Sequence, residues 1–137
     1  PEDLEELYRI EKASFKKPYP KRLLQLLAEL NPELFLVAEA SGRILGYVSA
    51  LPDSKEKAHL VSIAVHPEAR RLGIARRLME GLLARLKSLG FKKLTLEVRV
   101  GNKPAIALYR SLGFRREKVL ASYYEDGEDG LAMSLKL

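Results

Sequence analysis

Apolar residues recur three or four positions apart in two segments near the start of the chain, which is the spacing of an amphipathic helix. The first helix is predicted to open at Pro1-Glu2-Asp3, where proline and acidic residues suit a first turn. The second ends at Asn31-Pro32, and Pro18-Tyr19-Pro20 separates the two. The inward positions predicted from this spacing are Leu4, Leu7, Tyr8, Ile10, Leu23, Leu24, Leu26, Leu27 and Leu30.

Apolar runs with strand-like composition follow these helices. Residues 34–40 and 44–51 flank Ser41-Gly42-Arg43 and predict an antiparallel hairpin. A polar loop over residues 52–57 then leads to a further strand at residues 59–65. The first half of the chain therefore predicts two helices followed by three strands.

Helical spacing returns over residues 75–89 and stops at Gly90, the residue type that most often ends helices. Residues 93–100 then alternate apolar and polar side chains, as in a strand with one buried face. Because a helix connects this strand to the one before it, the two strands are predicted to pair in parallel.

The end of the chain predicts one more helix and one more hairpin. The helix begins at Asn102-Lys103-Pro104 and ends at Gly113. Residues 116–124 and 131–137 form the hairpin, around an acidic turn. Together the elements predict an α/β fold with a mixed central β-sheet flanked by helices, in a single domain spanning residues 1–137.

Composition narrows the classes of function. No apolar run among the 137 residues approaches the roughly 20 residues that cross a membrane, and no signal-like segment opens the chain. The chain contains no cysteine, which excludes disulfides and thiolate chemistry, and two histidines alone make a metal site unexpected. We therefore expect a soluble, cytoplasmic protein with no metal and no membrane partner.

The net charge favours anionic ligands. The 24 Lys and Arg residues outnumber the 18 Asp and Glu residues, for a formal charge of +6. A polyphosphate cofactor would satisfy this excess as well as nucleic acid would. Because the charges are mixed along the chain instead of gathered in one tail, no specific nucleic-acid partner is expected.

The switch from strand to helix at residues 67–73 has the features of a phosphate-binding turn. Gly73 permits a close turn, the first turn of the following helix has unpaired N–H groups, and the helix dipole adds positive charge there. The spacing alone is equally compatible with an ordinary strand-to-helix turn whose arginines are merely solvated. Neither a P-loop nor a Gly-x-Gly-x-x-Gly motif is present.

Arg70-x-x-Gly73-x-Ala75 resembles the Arg/Gln-x-x-Gly-x-Gly/Ala signature of GNAT-type N-acetyltransferases. In that family the loop binds the pyrophosphate of acetyl-CoA through backbone amides. The resemblance implies the GNAT fold, with its usual first strand missing here, and acetyl-CoA as the cofactor. The cofactor-binding residues it implies are Ile63, Ala64, Val65, Arg70, Arg71, Leu72, Gly73, Ile74, Ala75, Arg76, Asn102 and Tyr109.

Residues 96–114 resemble the Leu-Glu-Val-Arg-x-x-Asn-x-x-Ala-x-x-Leu-Tyr-x-x-x-Gly-Phe run of N-terminal (α-amino) acetyltransferases. The resemblance implies that Glu97 is the base that deprotonates the amine, that Tyr109 protonates the departing thiolate, and that Asn102 contacts pantetheine or substrate. The residues alone favour a different interpretation of Glu97, as a solvent-facing strand position or a partner of Arg99 or another cation. Tyr109 could be only a core aromatic.

Two further stretches resemble the archaeal and bacterial members of this group. Residues 59–65 match a His-x-Val-Ser-Ile-Ala-Val strand, which implies His59 as a second base. Residues 123–133 match a Tyr-Tyr-x-Asp-Gly-Glu-Asp turn, which implies that Tyr19 and Tyr124 line a groove for a peptide N-terminus beside Glu97. Two glycines depart from the pattern: Gly101 stands where serine is frequent, and Gly130 where alanine is usual.

These observations predict direct transfer of acetyl from acetyl-CoA to a protein N-terminus by a monomer or weak oligomer, since no cysteine can carry the acetyl group. Three alternatives stay open. The chain could acetylate a lysine, a polyamine or another small amine. It could also be a non-catalytic CoA-binding module or, third, a basic nucleic-acid binder.

Overall fold

A computed structural model of the protein describes residues 2–14, 19–70 and 72–137. In chain order its elements are α1 (Glu2–Ser14), α2 (Lys21–Leu30), β1 (Phe35–Ala40), β2 (Arg43–Pro52), β3 (Lys57–Val65), α3 (Ile74–Ser88), β4 (Lys93–Arg99), α4 (Lys103–Ser111), β5 (Arg115–Leu120) and β6 (Gly130–Lys136). Each predicted helix and strand is present, and the predicted mixed α/β class is confirmed. The described residues begin with α1, without a strand before it.

Two strand boundaries differ from the sequence prediction by two residues or more, and the other differences are of one residue. Strand β3 starts at Lys57, inside the predicted loop, because the backbone N–H groups of Asp53 and Ser54 both donate to the Lys57 carbonyl and close a tight turn. Strand β5 ends at Leu120 instead of residue 124. There the chain turns away at Ser122, whose φ is 48° and whose N–H donates to Asp129.

The six strands form one sheet in the order β1-β2-β3-β4-β6-β5. Only β3 and β4 pair in parallel, as predicted, and β6 lies between β4 and β5. The parallel ladder ends at the rung that joins His59 to Thr95. Beyond that rung β3 and β4 no longer pair with each other, so a gap opens between the second half of β3 and the second half of β4.

Apolar side chains pack on both faces of the sheet. Helices α3 and α4 cover one face, and α1 and α2 cover the other. Tyr47 and Val48 belong to different clusters, because successive strand residues point to opposite faces. Burying a side chain as fully as Leu82 or Leu86 contributes about 1.5–3 kcal/mol. The two layers thus hold the β3–β4 gap between rigid elements.

Among the residues that the structure describes, every helix is too short or too polar to cross a lipid bilayer.

Candidate active site

The polar face of β4 points into the region where β3 and β4 separate. Leu94, Leu96 and Val98 are buried in the core, so the alternating side chains Thr95, Glu97 and Arg99 lie on the opposite face. This alternation is the one that the sequence predicts. It places the carboxylate of Glu97 two residues beyond the last parallel rung, at the mouth of the gap.

The two bases proposed from the sequence contact each other directly. His59 Nε2 lies 2.9 Å from Glu97 Oε1, and the Glu97 side chain is 24% exposed. The other ring nitrogen of His59, Nδ1, lies 2.7 Å from Thr95 Oγ1. The alternative in which Glu97 pairs with Arg99 is not what the structure adopts, since the Arg99 guanidinium binds Asp126 and Glu128.

Tyr123 is a neighbour of Glu97 that sequence reasoning missed. Its hydroxyl donates to Glu97 Oε1 at 3.4 Å. Burial and the charge of Glu97 raise the pKa of Tyr123, and the nearby Tyr19 adds to the effect. The motif contains a Tyr-Tyr pair, but the strand predicted through residue 124 gave no reason to prefer Tyr123 over Tyr124.

The unusual glycine at position 130 lets Tyr123 lie close to the sheet. A Cβ atom at Gly130 would lie 3.1–3.2 Å from the Cβ, Cγ and Cδ2 atoms of Tyr123. Contacts that short force a neighbour to move. Gly130 therefore determines how closely the Tyr123 ring approaches β6 on its way to Glu97.

Arg99 fixes the loop that carries the two tyrosines. Its Nη1 donates to both carboxylate oxygens of Asp126 at 3.0 and 2.9 Å and to Glu128 at 2.9 Å. The guanidinium carbon also lies 4.1 Å from the centre of the Tyr124 ring, a cation–π distance. The loop over residues 121–129 is thereby held against the end of β4, where Tyr123 reaches Glu97 and Tyr124 packs on Arg99.

The other unusual glycine belongs to the same network. The Gly101 N–H donates to Glu128 Oε2 at 3.0 Å, and a Cβ atom at this position would approach that oxygen to 2.6 Å. In this chain Glu128 occupies the space that a side chain at position 101 would need.

Tyr109, the acid that the family resemblance implies, is a buried residue of α4. It is 4% exposed, and its ring packs against Phe114 with centroids 5.7 Å apart. Burial raises the pKa of Tyr109 to about 12, with a smaller contribution from Tyr124. The phenol therefore stays protonated throughout the neutral range and can act as a donor.

Tyr19 precedes α2 and is anchored by a buried acid. Its backbone N–H donates at 2.8 Å to Oε2 of Glu11, which is 1% exposed. The hydroxyl of Tyr47 on β2 donates to the other carboxylate oxygen. Burial raises the pKa of Glu11, and these hydrogen bonds oppose that rise. Glu11, which the helical spacing did not single out, thus connects the Tyr19 segment to α1 and the sheet.

The turn that leads into α3 has the predicted form. Gly73 has a φ of 77°, and the first helical hydrogen bond runs from Arg77 N to the Gly73 carbonyl at 3.1 Å. The N–H groups of Ile74, Ala75 and Arg76 therefore have no carbonyl four residues earlier within the helix and point out of its N-terminus. The sequence prediction of backbone donors gathered at this turn matches that geometry.

Side chains around the turn are less available than the sequence suggested. Arg70 donates from Nε to the Val65 carbonyl at 3.2 Å and from Nη2 to Ser14 Oγ at 3.1 Å, so it braces the turn against α1. Arg76 donates to Ser111 Oγ and lies 3.8 Å from Glu80. Arg71 lies outside the described residues.

The remaining predicted cofactor residues fall into three settings. Leu72 is 67% exposed, whereas Ile74 is buried and offers only its backbone. Asn102 caps α4, since its Oδ1 accepts the Ala105 N–H at 3.3 Å. Ile63, Ala64 and Val65 lie on β3 beyond the last parallel rung, where they pair with β2 and not with β4.

Replacing Gly73 with Ala should lower the free energy of unfolding by about 1 kcal/mol, because a side chain at positive φ is strained. A Cβ atom there would meet nothing within 4 Å, so the cost arises from the backbone alone. Gly81→Ala, a change inside α3, is the matched control, since its Cβ would make an ordinary 3.5 Å contact with Leu36 on β1. Urea unfolding measures both, and equal effects would contradict a special role for the Gly73 conformation.

Comparison with known proteins finds relatives that are similar over nearly the whole chain. The model of the acetyltransferase (GNAT) family matches residues 4–114. An N-alpha-acetyltransferase from Sulfurisphaera tokodaii is 35% identical over 98% of this chain and 88% of the relative. The crystal structure of Ard1 from Thermoplasma volcanium aligns with a TM-score of 0.94 at 29% identity, over 99% of this chain and 92% of that one. The ribosomal-protein-S18-alanine N-acetyltransferase from Escherichia coli aligns with a TM-score of 0.85 at 34% identity, over 98% and 88%. The chain belongs to the GNAT family of acetyltransferases.

Proposed function

We propose that this protein transfers the acetyl group of acetyl-CoA directly to the α-amino group of a protein or peptide N-terminus. The observation that carries the proposal is the contact of 2.9 Å between His59 and Glu97 at the mouth of the β3–β4 gap. This contact supports the proposal because it supplies paired acid–base groups at the point where the amine and the thioester are proposed to meet. We further propose that the chain acts as a single-domain monomer or weak oligomer in the cytoplasm, without nucleic acid.

The cofactor is proposed to enter from the turn that precedes α3. Its pyrophosphate would accept hydrogen bonds from the amides at the start of that helix, where the dipole also favours negative charge. The pantetheine arm would then follow the unpaired edge of β3 into the gap, past Asn102. A β3 amide at residues 63–65 would donate to the thioester carbonyl and stabilise the oxyanion.

The amine is proposed to approach from the opposite side, where three tyrosines surround the gap. The segment of Tyr19 is held by Glu11, and the loop of Tyr123 and Tyr124 is held by Arg99. Two separately anchored aromatic walls suit an extended peptide more than a small free amine. The names of the Sulfurisphaera and Escherichia relatives, an N-alpha-acetyltransferase and a ribosomal-protein-alanine N-acetyltransferase, support the same class of substrate.

The chemistry balances with the groups present. Glu97 accepts a proton from the ammonium group directly or through water, and the freed nitrogen attacks the thioester carbon. The C–N bond forms, the C–S bond breaks, and Tyr109 gives its proton to the sulfur. Solvent restores that proton, and it takes up both the second proton that the nitrogen loses and the proton held by Glu97. An α-amine has a reference pKa of about 7.7–8.0 against about 10.4 for lysine, so a carboxylate can free it more easily near neutral pH.

A panel of peptides tests the substrate class. We expect CoA release from acetyl-CoA with peptides that carry a free α-amine and no internal lysine. Matched peptides with a blocked N-terminus and a free lysine should release at least tenfold less, since about 2.5 pKa units separate the amines. Turnover on lysine peptides alone would overturn the α-amine assignment. CoA binding without turnover on any amine would instead indicate a binding module.

A further inference from the structure

Thr95 is the residue on the far side of the His59 ring from Glu97. It stands two positions before Glu97 on the same face of β4, and its backbone is the parallel partner of His59. Its hydroxyl oxygen lies 2.7 Å from His59 Nδ1. We propose that Thr95 is a positioning residue that holds neutral His59 in the tautomer with hydrogen on Nε2, which leaves Glu97 as the base. This inference rests on the proposed function.

The argument starts from what each partner can donate. A carboxylate only accepts hydrogen bonds, so Nε2, at 2.9 Å from Glu97 Oε1, must carry the hydrogen of that contact. A neutral imidazole has one N–H group, and Nδ1 is then left with a lone pair. The Thr95 hydroxyl supplies the donor that this lone pair needs. The two contacts select one tautomer together.

The same hydroxyl also fits the protonated ring. If His59 gains a proton at Nδ1, that N–H donates to Thr95 Oγ1, and the threonine hydrogen can turn to the Ala58 carbonyl at 3.5 Å. The ring does not need to rotate for this exchange. Of the titratable groups, Glu97 contacts the His59 ring directly, and Tyr123 contacts Glu97 from the loop over residues 121–129.

This arrangement gives His59 and Glu97 different roles in the proton transfer. Nε2 already carries a hydrogen, so it cannot take the proton that arrives from the amine side. Glu97 therefore accepts that proton, while the His59 N–H fixes one carboxylate oxygen and leaves the other to face the amine. A valine at position 95 would remove the donor to Nδ1, whereas a serine would retain it.

Histidine nitrogen chemical shifts measure the tautomer without any turnover. The chain contains two histidines, so protein labelled with ¹⁵N-histidine gives two imidazole patterns, and His66→Asn assigns them. His66 is an internal reference, because its Nδ1 accepts the backbone N–H of Glu68 at 3.1 Å and Thr95 plays no part in that contact. Spectra are recorded about two pH units above the reference histidine pKa of about 6.5.

We expect His59 and His66 both to show hydrogen on Nε2 in the wild type and in Thr95→Ser. In Thr95→Val the Nδ1 lone pair loses its donor and only the Glu97 contact still selects the tautomer, so the fraction of His59 with hydrogen on Nδ1 should rise while His66 stays unchanged. With α-amine peptides, kcat should fall about tenfold in Thr95→Val and less than about twofold in Thr95→Ser, with acetyl-CoA affinity unaffected.

Hydrogen on Nδ1 of His59 in the wild type would overturn the proposal, as would an unchanged His59 pattern in Thr95→Val. The wild-type spectrum decides the matter even where the valine variant folds poorly. The two proposals fail separately: absence of transfer to any amine would sink the proposed function, and the tautomer would still be read from the spectrum.

Discussion

Glu97→Gln should lower kcat/KM for α-amine peptides by about 10²–10⁴-fold, the usual contribution of a positioned general base. Glutamine has nearly the same shape and its carbonyl can still accept from His59 Nε2, but it cannot take up a proton. Acetyl-CoA affinity should stay within about twofold, because the side chain lies beyond the parallel ladder and not at the turn before α3. CoA release at saturating cofactor, beside direct titration of acetyl-CoA, separates the two effects.

A double-mutant cycle with His59→Gln shows whether the pair acts as a unit. If Glu97 is the base and His59 orients it through their 2.9 Å contact, the double variant should be little worse than Glu97→Gln alone. Arg43→Gln, a change of one exposed charge on β2, serves as the matched surface control. Wild-type rates in Glu97→Gln would transfer the base role to His59 or water. If the fold-losses in kcat/KM of the two single variants multiply in the double variant, the two residues act independently.

Much of the scaffold follows from local patterns. The period of two along residues 93–100 predicts which β4 side chains are buried, and Gly73 marks the positive φ before α3. Both features are set by neighbouring residues, through strand alternation and steric limits on the backbone. The family motifs additionally point to Glu97 and His59 as separate candidates.

The contacts within the site could not be predicted in this way. Glu97 reaches His59 because β3 and β4 pair in one particular parallel register, and a register depends on the packing of the whole sheet. Tyr123 reaches Glu97 because β5 ends early and Gly130 leaves room for its ring. Glu11 was missed because a buried carboxylate on a helix gives no periodic signal until its partners are known.

Tyr109→Phe should lower kcat by about 10²-fold while leaving acetyl-CoA affinity nearly unchanged, since the lost phenol acts only as sulfur departs. Phenylalanine retains the packing against Phe114, so the fold should survive, as thermal unfolding can verify.

The pH profile of the wild type and the Tyr109→Phe variant is the sharper measurement. An ordinary phenol would lose its proton near pH 10 and the rate would fall there. Because burial raises the pKa of Tyr109 to about 12, the wild-type rate should hold to pH 10, and the variant should be slower by a constant factor from pH 6 to pH 10. A wild-type rate that falls with an apparent pKa near 10, while the rate of the variant does not, would contradict the raised pKa of Tyr109. A variant within about twofold of the wild type would show that this buried phenol is not the acid. The thiolate would then leave with a proton from water, and Tyr109 would keep only its place in the core.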